Sequence, residues 1–321
     1  MFGEHERKTK DKLERQILET LVLQTLKEQK RKRRWGIFFK FIIVILLIIL
    51  IVGIFWPNHY NPKSDPNKPH IAYVSVDGII MEGLNANAND IIDGLENAFE
   101  DKNSKAVVIQ INSPGGSPVQ SDEVFQAMRS LEKAYPDKPL YAVCTDVCAS
   151  GGYYIASAAD EIYANPMTIL GSIGVRADGF GFVETLQKLG ITRRLFTAGK
   201  DKDFLDPFKP LNQGQVNALD KMLAQTHQVF IDSVKEGRGK RLDLSQSETL
   251  FSGQPFSGIE GKKYGLIDGF MSMRELARQK YKLDNIVDYT YYKSPLEQLL
   301  MKVSSSLVYK AMASSSMQLR F

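Results

Sequence analysis

The sequence is poor in the residues that build metal centres and disulfide frameworks. Its 321 residues include only two cysteines, Cys144 and Cys148, and four histidines. No metal-ligand spacing and no Cys-x-x-Cys motif is present, so the sequence predicts neither a metal nor a cofactor. Two cysteines also exclude a small fold held together by disulfides. The pair forms either a strained bridge or two buried thiols, and buried thiols are the preferred interpretation.

Most of the chain has no excess of positive charge. Such an excess is found only at its amino-terminal end. Residues 1–40 carry 12 Lys and Arg against 6 Asp and Glu, whereas the rest carries 29 against 31. A nearly neutral body offers no surface suited to nucleic acid, so no nucleic-acid partner is predicted. The basic run at 30–34 directly precedes an apolar segment, which favours a membrane as its partner.

Only one long apolar run is present, at residues 35–56. As a helix it would be about 33 Å long, enough to cross a hydrocarbon core of about 30 Å. Trp35 and Trp56 suit the two interfaces, and Lys40 lies near one end, where it can reach the headgroups. The length of the run and the lack of a small-residue cleavage site argue against a signal peptide. We therefore predict a basic cytoplasmic segment at 1–34 and one transmembrane helix at 35–56.

The basic segment at 1–34 also predicts the topology. Because Lys and Arg accumulate on the cytoplasmic side, the residues after Trp56 should cross the membrane. In a bacterium this gives a single-pass protein of the inner (cytoplasmic) membrane with an extracytoplasmic body. Residues 57–69, rich in Pro and Asn, indicate a linker. Residues 293–321 form a predicted amphipathic tail whose apolar face needs a core, oligomer or membrane contact.

The body, residues 70–292, alternates short apolar runs with helical patterns. The runs typical of buried parallel strands lie at 71–80, 106–112 and 140–146. The helical patterns lie at 91–100, 124–134 and 212–236, and a short helix with a final strand is predicted at 259–270. This succession predicts an α/β fold with a mostly parallel sheet and flanking helices.

Ser150 is the first candidate for chemistry because it joins a predicted strand to a predicted helix. A serine at this place is most often only a helix N-cap. Gly151 and Gly152, however, leave its hydroxyl unshielded, and N–H groups at a helix start point toward any oxyanion that forms there. The glycine turn at 112–116 could supply an opposing N–H, although tight turns alone would also explain these glycines.

Histidine is too scarce to support a Ser-His-Asp triad. His59 and His70 lie in or beside the predicted linker, so only His227 lies well inside the body, in a predicted long helix where a packing or surface role is favoured. Lysine can replace histidine as the base where desolvation keeps it neutral. Lys200 and Lys202, which follow a predicted strand at 193–199, are the candidates, and a solvated charged loop is the alternative.

Four motifs in a fixed order resemble serine peptidase family S49 of the ClpP/crotonase superfamily. They are NSPGG (112–116), ASGGYYIA (149–156), GSIGV (171–175) and GKDKD (199–203). The resemblance covers roughly 70–290 and implies a ClpP/crotonase-like body. Asp201 and residues 204–208 depart from the common family pattern, which affects the expected substrate contacts.

The same resemblance implies the roles of the site residues and the activity. Ser150 would be the nucleophile, Lys202 the general base, and the N–H groups of Gly116 and Gly151 the oxyanion hole. The implied activity is that of a membrane-anchored endopeptidase that degrades cleaved signal peptides or other membrane-proximal hydrophobic peptides, as a homo-oligomer. A crotonase-like acyl-CoA enzyme and a non-catalytic peptide-binding scaffold are the alternatives.

Overall fold

The computed structural model describes residues 24–25, 27–50 and 64–292. Contacts divide the chain into two compact units, one of residues 61–293 and one of residues 1–60 with 294–321. In the second unit, residues 27–50 are helical. No helix among the described residues is both long and apolar enough to span a bilayer.

Several predicted segments reach beyond the described residues. Outside them lie part of the basic amino-terminal segment, the end of the predicted transmembrane helix, most of the linker and the whole tail, at 1–23, 26, 51–63 and 293–321. The transmembrane helix and the amphipathic tail therefore stay predictions.

Eight strands of the described residues form one sheet in the larger unit. They are β1 (His70–Asp77), β2 (Ser104–Ser113), β3 (Leu140–Ala149), β4 (Glu161–Ala164), β5 (Ile169–Gly171), β6 (Pro255–Ser257), β7 (Gly269–Phe270) and β8 (Ile286–Asp288). The strand order is β6-β5-β3-β2-β1-β8, and β4 pairs with β3 and β7. Only β5 and β6 are antiparallel to each other. The predicted mostly parallel sheet is confirmed.

Helices cover both faces of this sheet. They are α1 (Ala88–Glu100), α2 (Pro118–Ala134), α3 (Gly151–Ala156), α4 (Val183–Lys188), α5 (Gln213–Arg238), α6 (Ser247–Leu250), α7 (Gly258–Lys263) and α8 (Met273–Tyr281). The larger core cluster joins α1, α2 and α3 to one face, where Leu95, Phe125 and Ile155 are fully buried or nearly so. The smaller cluster places Leu276 and Ala277 of α8 on the other face.

The structure corrects the sequence prediction at three strands, of which β1 ends at Asp77 instead of residue 80. Residues 193–199 form no strand, because they are exposed and pair with no neighbouring strand among the described residues. β3 continues to Ala149 instead of ending at 146, through an irregularity in its pairing with β2. Cys144 and Cys148 both lie in β3 as buried free thiols, which confirms the preferred interpretation.

A buried ion pair fastens the end of α5 to the sheet. Arg238, whose side chain is fully buried, donates to both carboxylate oxygens of Asp268 at 2.8 and 3.0 Å and to Gly265 O at 3.0 Å. Asp268 also accepts the N–H of Ile162 at 2.7 Å. Burial alone would raise the pKa of Asp268, but these bonds and the Arg238 charge hold that pKa below its ordinary value.

We predict that Arg238→Met destabilises the fold by about 3–5 kcal/mol, because the half-buried Asp268 carboxylate loses both close guanidinium hydrogen bonds and keeps only Arg241 at 3.6 Å and the Ile162 N–H. The pairing of Asp268 stabilises the fold above the carboxyl's unfolded pKa of about 3.9 and is lost as pH falls through its lower folded pKa. The difference in free energy of unfolding between the parent and Asp268→Asn should therefore shrink below about pH 4. Urea unfolding at several pH values measures this difference, and a pH-independent difference would contradict the assignment.

Candidate active site

Ser150 lies in a sharp turn between β3 and α3. Its backbone has φ 51° and ψ −123°, and its side chain makes no capping hydrogen bond to α3. The N-cap interpretation of this serine is therefore wrong. Non-glycine residues rarely adopt a positive φ, and such strain persists only where the surroundings enforce it, often at functional sites. A serine on a strained strand-to-helix turn is also the arrangement that exposes a nucleophilic hydroxyl in other hydrolase folds.

The glycine turn after β2 packs directly against Ser150. A Cβ built on Gly115, at φ +102°, would lie 2.7 Å from Ser150 Cβ and 2.8 Å from Gly151 N. A Cβ built on Gly116 would lie 2.0 Å from Ile80 O. Neither position has room for a side chain, so glycine is required here by the close approach of three backbone segments.

Ile80 is a part of this site that the sequence did not predict. It was placed at the end of a strand over 71–80, but β1 ends at Asp77 and Gly78 turns the chain with φ +88°. Ile80 then forms an isolated bridge with Gly116. Its N–H donates to Gly115 O at 3.0 Å, which fixes the glycine turn from the side away from Ser150. In the sequence, only the apolar run at 71–80 pointed to Ile80, and it indicated a strand residue and not a part of the site.

The two N–H groups predicted as oxyanion donors lie on facing turns. A Cβ built on Gly151 would lie only 3.3 Å from Gly116 N, so the turns touch at these residues. Neither N–H donates a hydrogen bond to another of the described residues. Both are thus available to a carbonyl oxygen beside Ser150, where two such donors would stabilise a developing negative charge. Their joint role as an oxyanion hole stays a prediction.

Lys202 lies in the long, mostly exposed segment between β5 and α5, here called the arm (residues 175–212). Its side chain is exposed and forms no hydrogen bond or ion pair with the described residues, and none joins it to Ser150 Oγ. Lys200 is also exposed, and it lines a cavity of about 280 Å³ that neither Ser150 nor Lys202 borders. Within the described chain, the structure does not join the two predicted catalytic side chains.

The loop that carries both lysines is held by its own ion pairs. Asp203 pairs with Lys209 at 2.7 Å, and Asp206 accepts from Arg193. The hydrogen bond from Lys209 lowers the pKa of Asp203. The Arg193 guanidinium also lies 4.8 Å from the centroid of the Phe208 ring. The residues at 204–208, which depart from the family pattern, thus help to order the loop.

The arm exposes large apolar side chains that no core covers. The exposed fractions are 80% for Phe180, 90% for Phe196 and 77% for Leu211, and α4 within the arm buries no residue. Soluble monomers rarely leave such side chains together on one surface, so the arm has the character of a contact surface.

The described residues, 24–25, 27–50 and 64–292, contain no set of metal ligands. No group of three or more His, Cys, Asp or Glu side chains in these ranges could hold a metal ion.

Comparisons with known proteins identify the family of the chain. The sequence model of peptidase family S49 matches residues 132–287. The chain is 30% identical over 232 residues to a putative protease of Methanocaldococcus jannaschii, which covers 72% of this chain and 73% of that protein. It is also 30% identical over 214 residues to a putative signal peptide peptidase SppA of Enterococcus faecium, covering 64% of this chain and 61% of that protein.

A third relative is a Na⁺/H⁺ antiporter NhaA of Brucella abortus, 46% identical over 187 residues. The match covers 58% of this chain but only 25% of the antiporter, so this chain spans about a quarter of the length of that longer protein. The order of motifs and the mostly parallel sheet agree with the family match at residues 132–287. The chain belongs to peptidase family S49.

The glycine turn gives a matched pair of test variants. Gly115→Ala and Gly78→Ala both place a side chain at positive φ, which costs about 1–2 kcal/mol, but only the first also collides with Ser150. We expect Gly115→Ala to slow acylation of Ser150 by a small β-lactone about a hundredfold, because a displacement of 1 Å can cost that much. Gly78→Ala should react at nearly the parental rate, and equal rates for both would place the reactive group elsewhere.

Proposed function

We propose that this protein is a membrane-anchored serine endopeptidase with a ClpP/crotonase-like body, in which Ser150 is the nucleophile and Lys202 the general base. The observation that carries the proposal is the strained turn of Ser150 against the glycine turn at 115–116. The positive φ of Ser150, which makes no capping hydrogen bond to α3, is a strained conformation of the kind often found at functional sites. Membership of family S49 supplies the peptidase class.

The chemistry follows from these groups. Neutral Lys202 Nζ takes the hydroxyl proton as Ser150 Oγ attacks the peptide carbonyl. The resulting oxyanion accepts hydrogen bonds from the N–H groups of Gly116 and Gly151. The C–N bond then breaks, and the lysine returns the proton to the leaving amine, which leaves an acyl-enzyme. Water, deprotonated by the same lysine, hydrolyses the ester and restores both residues.

A lysine base must be desolvated to be neutral near pH 7, yet Lys202 is exposed in the described chain. We therefore propose that a homo-oligomer completes the site, and that the apolar arm packs against a neighbouring subunit. In such an assembly Lys202 of one subunit can reach Ser150 of the next.

The proposed substrates are cleaved signal peptides or other hydrophobic peptides close to a membrane. The name of the Enterococcus faecium relative, a putative signal peptide peptidase, supports this class. The proposed location is the bacterial inner membrane, with the amino terminus cytoplasmic. Most apolar side chains of the helical residues 37–50 are at least half exposed, which is consistent with an anchor.

The first prediction separates Lys202 from Lys200. Lys202→Arg should be inactive at every pH, because guanidinium stays charged and cannot act as a base. The matched variant Lys200→Arg should keep the parental rate and pH dependence of peptide cleavage, and Ser150→Ala should cleave nothing while staying folded. The reverse pattern for the two lysines would transfer the base to Lys200.

The second prediction concerns the shared site. Inactive Ser150→Ala and Lys202→Ala proteins are mixed under conditions that exchange subunits, and peptide cleavage is measured. Mixed oligomers contain some intact pairs if the dyad spans two subunits, so activity should return. No activity after verified subunit exchange would place both residues of one site in the same chain.

A further inference from the structure

A second strained turn supports Ser150 from the side opposite the glycine turn. Gly171 and Ser172 have φ values of +79° and +50°. Gly171 O accepts the Ser150 N–H at 2.8 Å, and Gly171 pairs with Ala149 where β5 meets β3. Any movement of the turn at 171–174 therefore pulls directly on the backbone of Ser150.

The segment at 253–254 holds one end of this turn. Ser172 N–H donates to Gln254 O at 3.1 Å, and Ser172 Oγ donates to Gly253 O at 3.0 Å. A Cβ on Gly174 would lie 2.8 Å from Gly253 Cα, so the two backbones touch. A non-glycine residue at φ +50° needs such restraints, since strained conformations persist only where neighbours enforce them.

His227 of α5 supplies the restraint on the other side. Its Nε2 lies 3.0 Å from Ile173 O. A carbonyl oxygen only accepts hydrogen bonds, so Nε2 carries the proton in this contact. Ile173 itself is fully buried, so the bond reaches the middle of the turn.

The place of His227 in α5 makes this bond more than an incidental surface contact. Within α5, the last turns contain most of the buried residues, Phe230, Ser233, Val234 and Arg238, and the buried ion pair of Arg238 fixes that end. His227 lies one turn before Phe230, where the helix leaves the core. The amino-terminal half of α5 continues from the arm, so His227 lies between the arm and the turn that holds Ser150.

We propose that His227 is a positioning residue for the peptidase reaction, which holds the turn at 171–174 so that Gly171 fixes the backbone of Ser150. The inference rests on the proposed function of Ser150. It gives a role to a histidine for which the sequence favoured only packing or a surface position. The imidazole acts through its N–H donor and transfers no proton to the substrate.

The test compares three variants of the full chain. His227→Gln keeps an N–H donor on a side chain of similar reach, His227→Leu removes the donor, and His227→Asn keeps a donor on a shorter side chain. Acylation of Ser150 by a small β-lactone and the kcat and KM of peptide cleavage are measured below the melting temperature of each variant. Thr226→Ala, in which the neighbouring exposed side chain of the same helix is shortened, is the matched control.

The expected result is a loss of about ten- to a hundredfold in acylation rate and kcat for His227→Leu and His227→Asn. KM should change little, and His227→Gln should recover most of the rate. Thr226→Ala should equal the parent. A purely structural role would lower the melting temperature and leave acylation of the folded protein unchanged, and that outcome would overturn the proposal even if only His227→Asn folds.

A second readout is independent of catalysis. In a Ser150→Ala background, the amides of Ser172 and Gly174 should exchange hydrogen faster in His227→Leu than in His227→Gln. If the parent chain is not acylated at all, the proposed function fails and this role fails with it. If the parent is acylated but neither exchange nor acylation changes in His227→Leu, only the role of His227 is overturned.

Discussion

The structure of the site depends on the contact between two backbone turns. Gly115 approaches Ser150 and Gly151 so closely that a Cβ on it would lie within 3 Å of their atoms, and a Cβ on Gly116 would lie 2.0 Å from Ile80 O. This approach leaves two N–H groups without internal acceptors beside a serine whose φ is +51°. Strain at Ser150 and open donors at positions 116 and 151 thus share one cause.

The parallel sheet explains why these turns meet. β2 and β3 are adjacent and parallel, so their carboxyl ends, at Ser113 and Ala149, lie at the same edge of the sheet. β5 pairs with the last residues of β3 and brings the turn at 171–174 to the opposite side of Ser150. The nucleophile is therefore enclosed by three chain segments that the core positions, while the arm with Lys202 extends from the body without core contacts of its own.

The sequence predicted the strands and helices that local patterns control. It missed the features that depend on contacts between residues far apart in the chain. β1, β2, β3, α2 and α5 follow from apolar periodicity, and Ser150 was placed at its junction because strand, glycine and helix signals coincide. β5, β6 and β8 have only three residues each and leave no periodic signal. The strand predicted at 193–199 failed because no partner strand lies beside it. The bond of His227 to Ile173 joins residues 54 positions apart, which no local pattern reveals.

The central claim is that Ser150 is a nucleophile held ready by its surroundings. The most direct test is the intact mass of the purified protein after incubation with a fluorophosphonate, followed by mapping of the modified peptide. The account predicts a single adduct on Ser150 in the parent and none in Ser150→Ala. An unmodified parent in its assembled state, or an adduct on another residue, would contradict it.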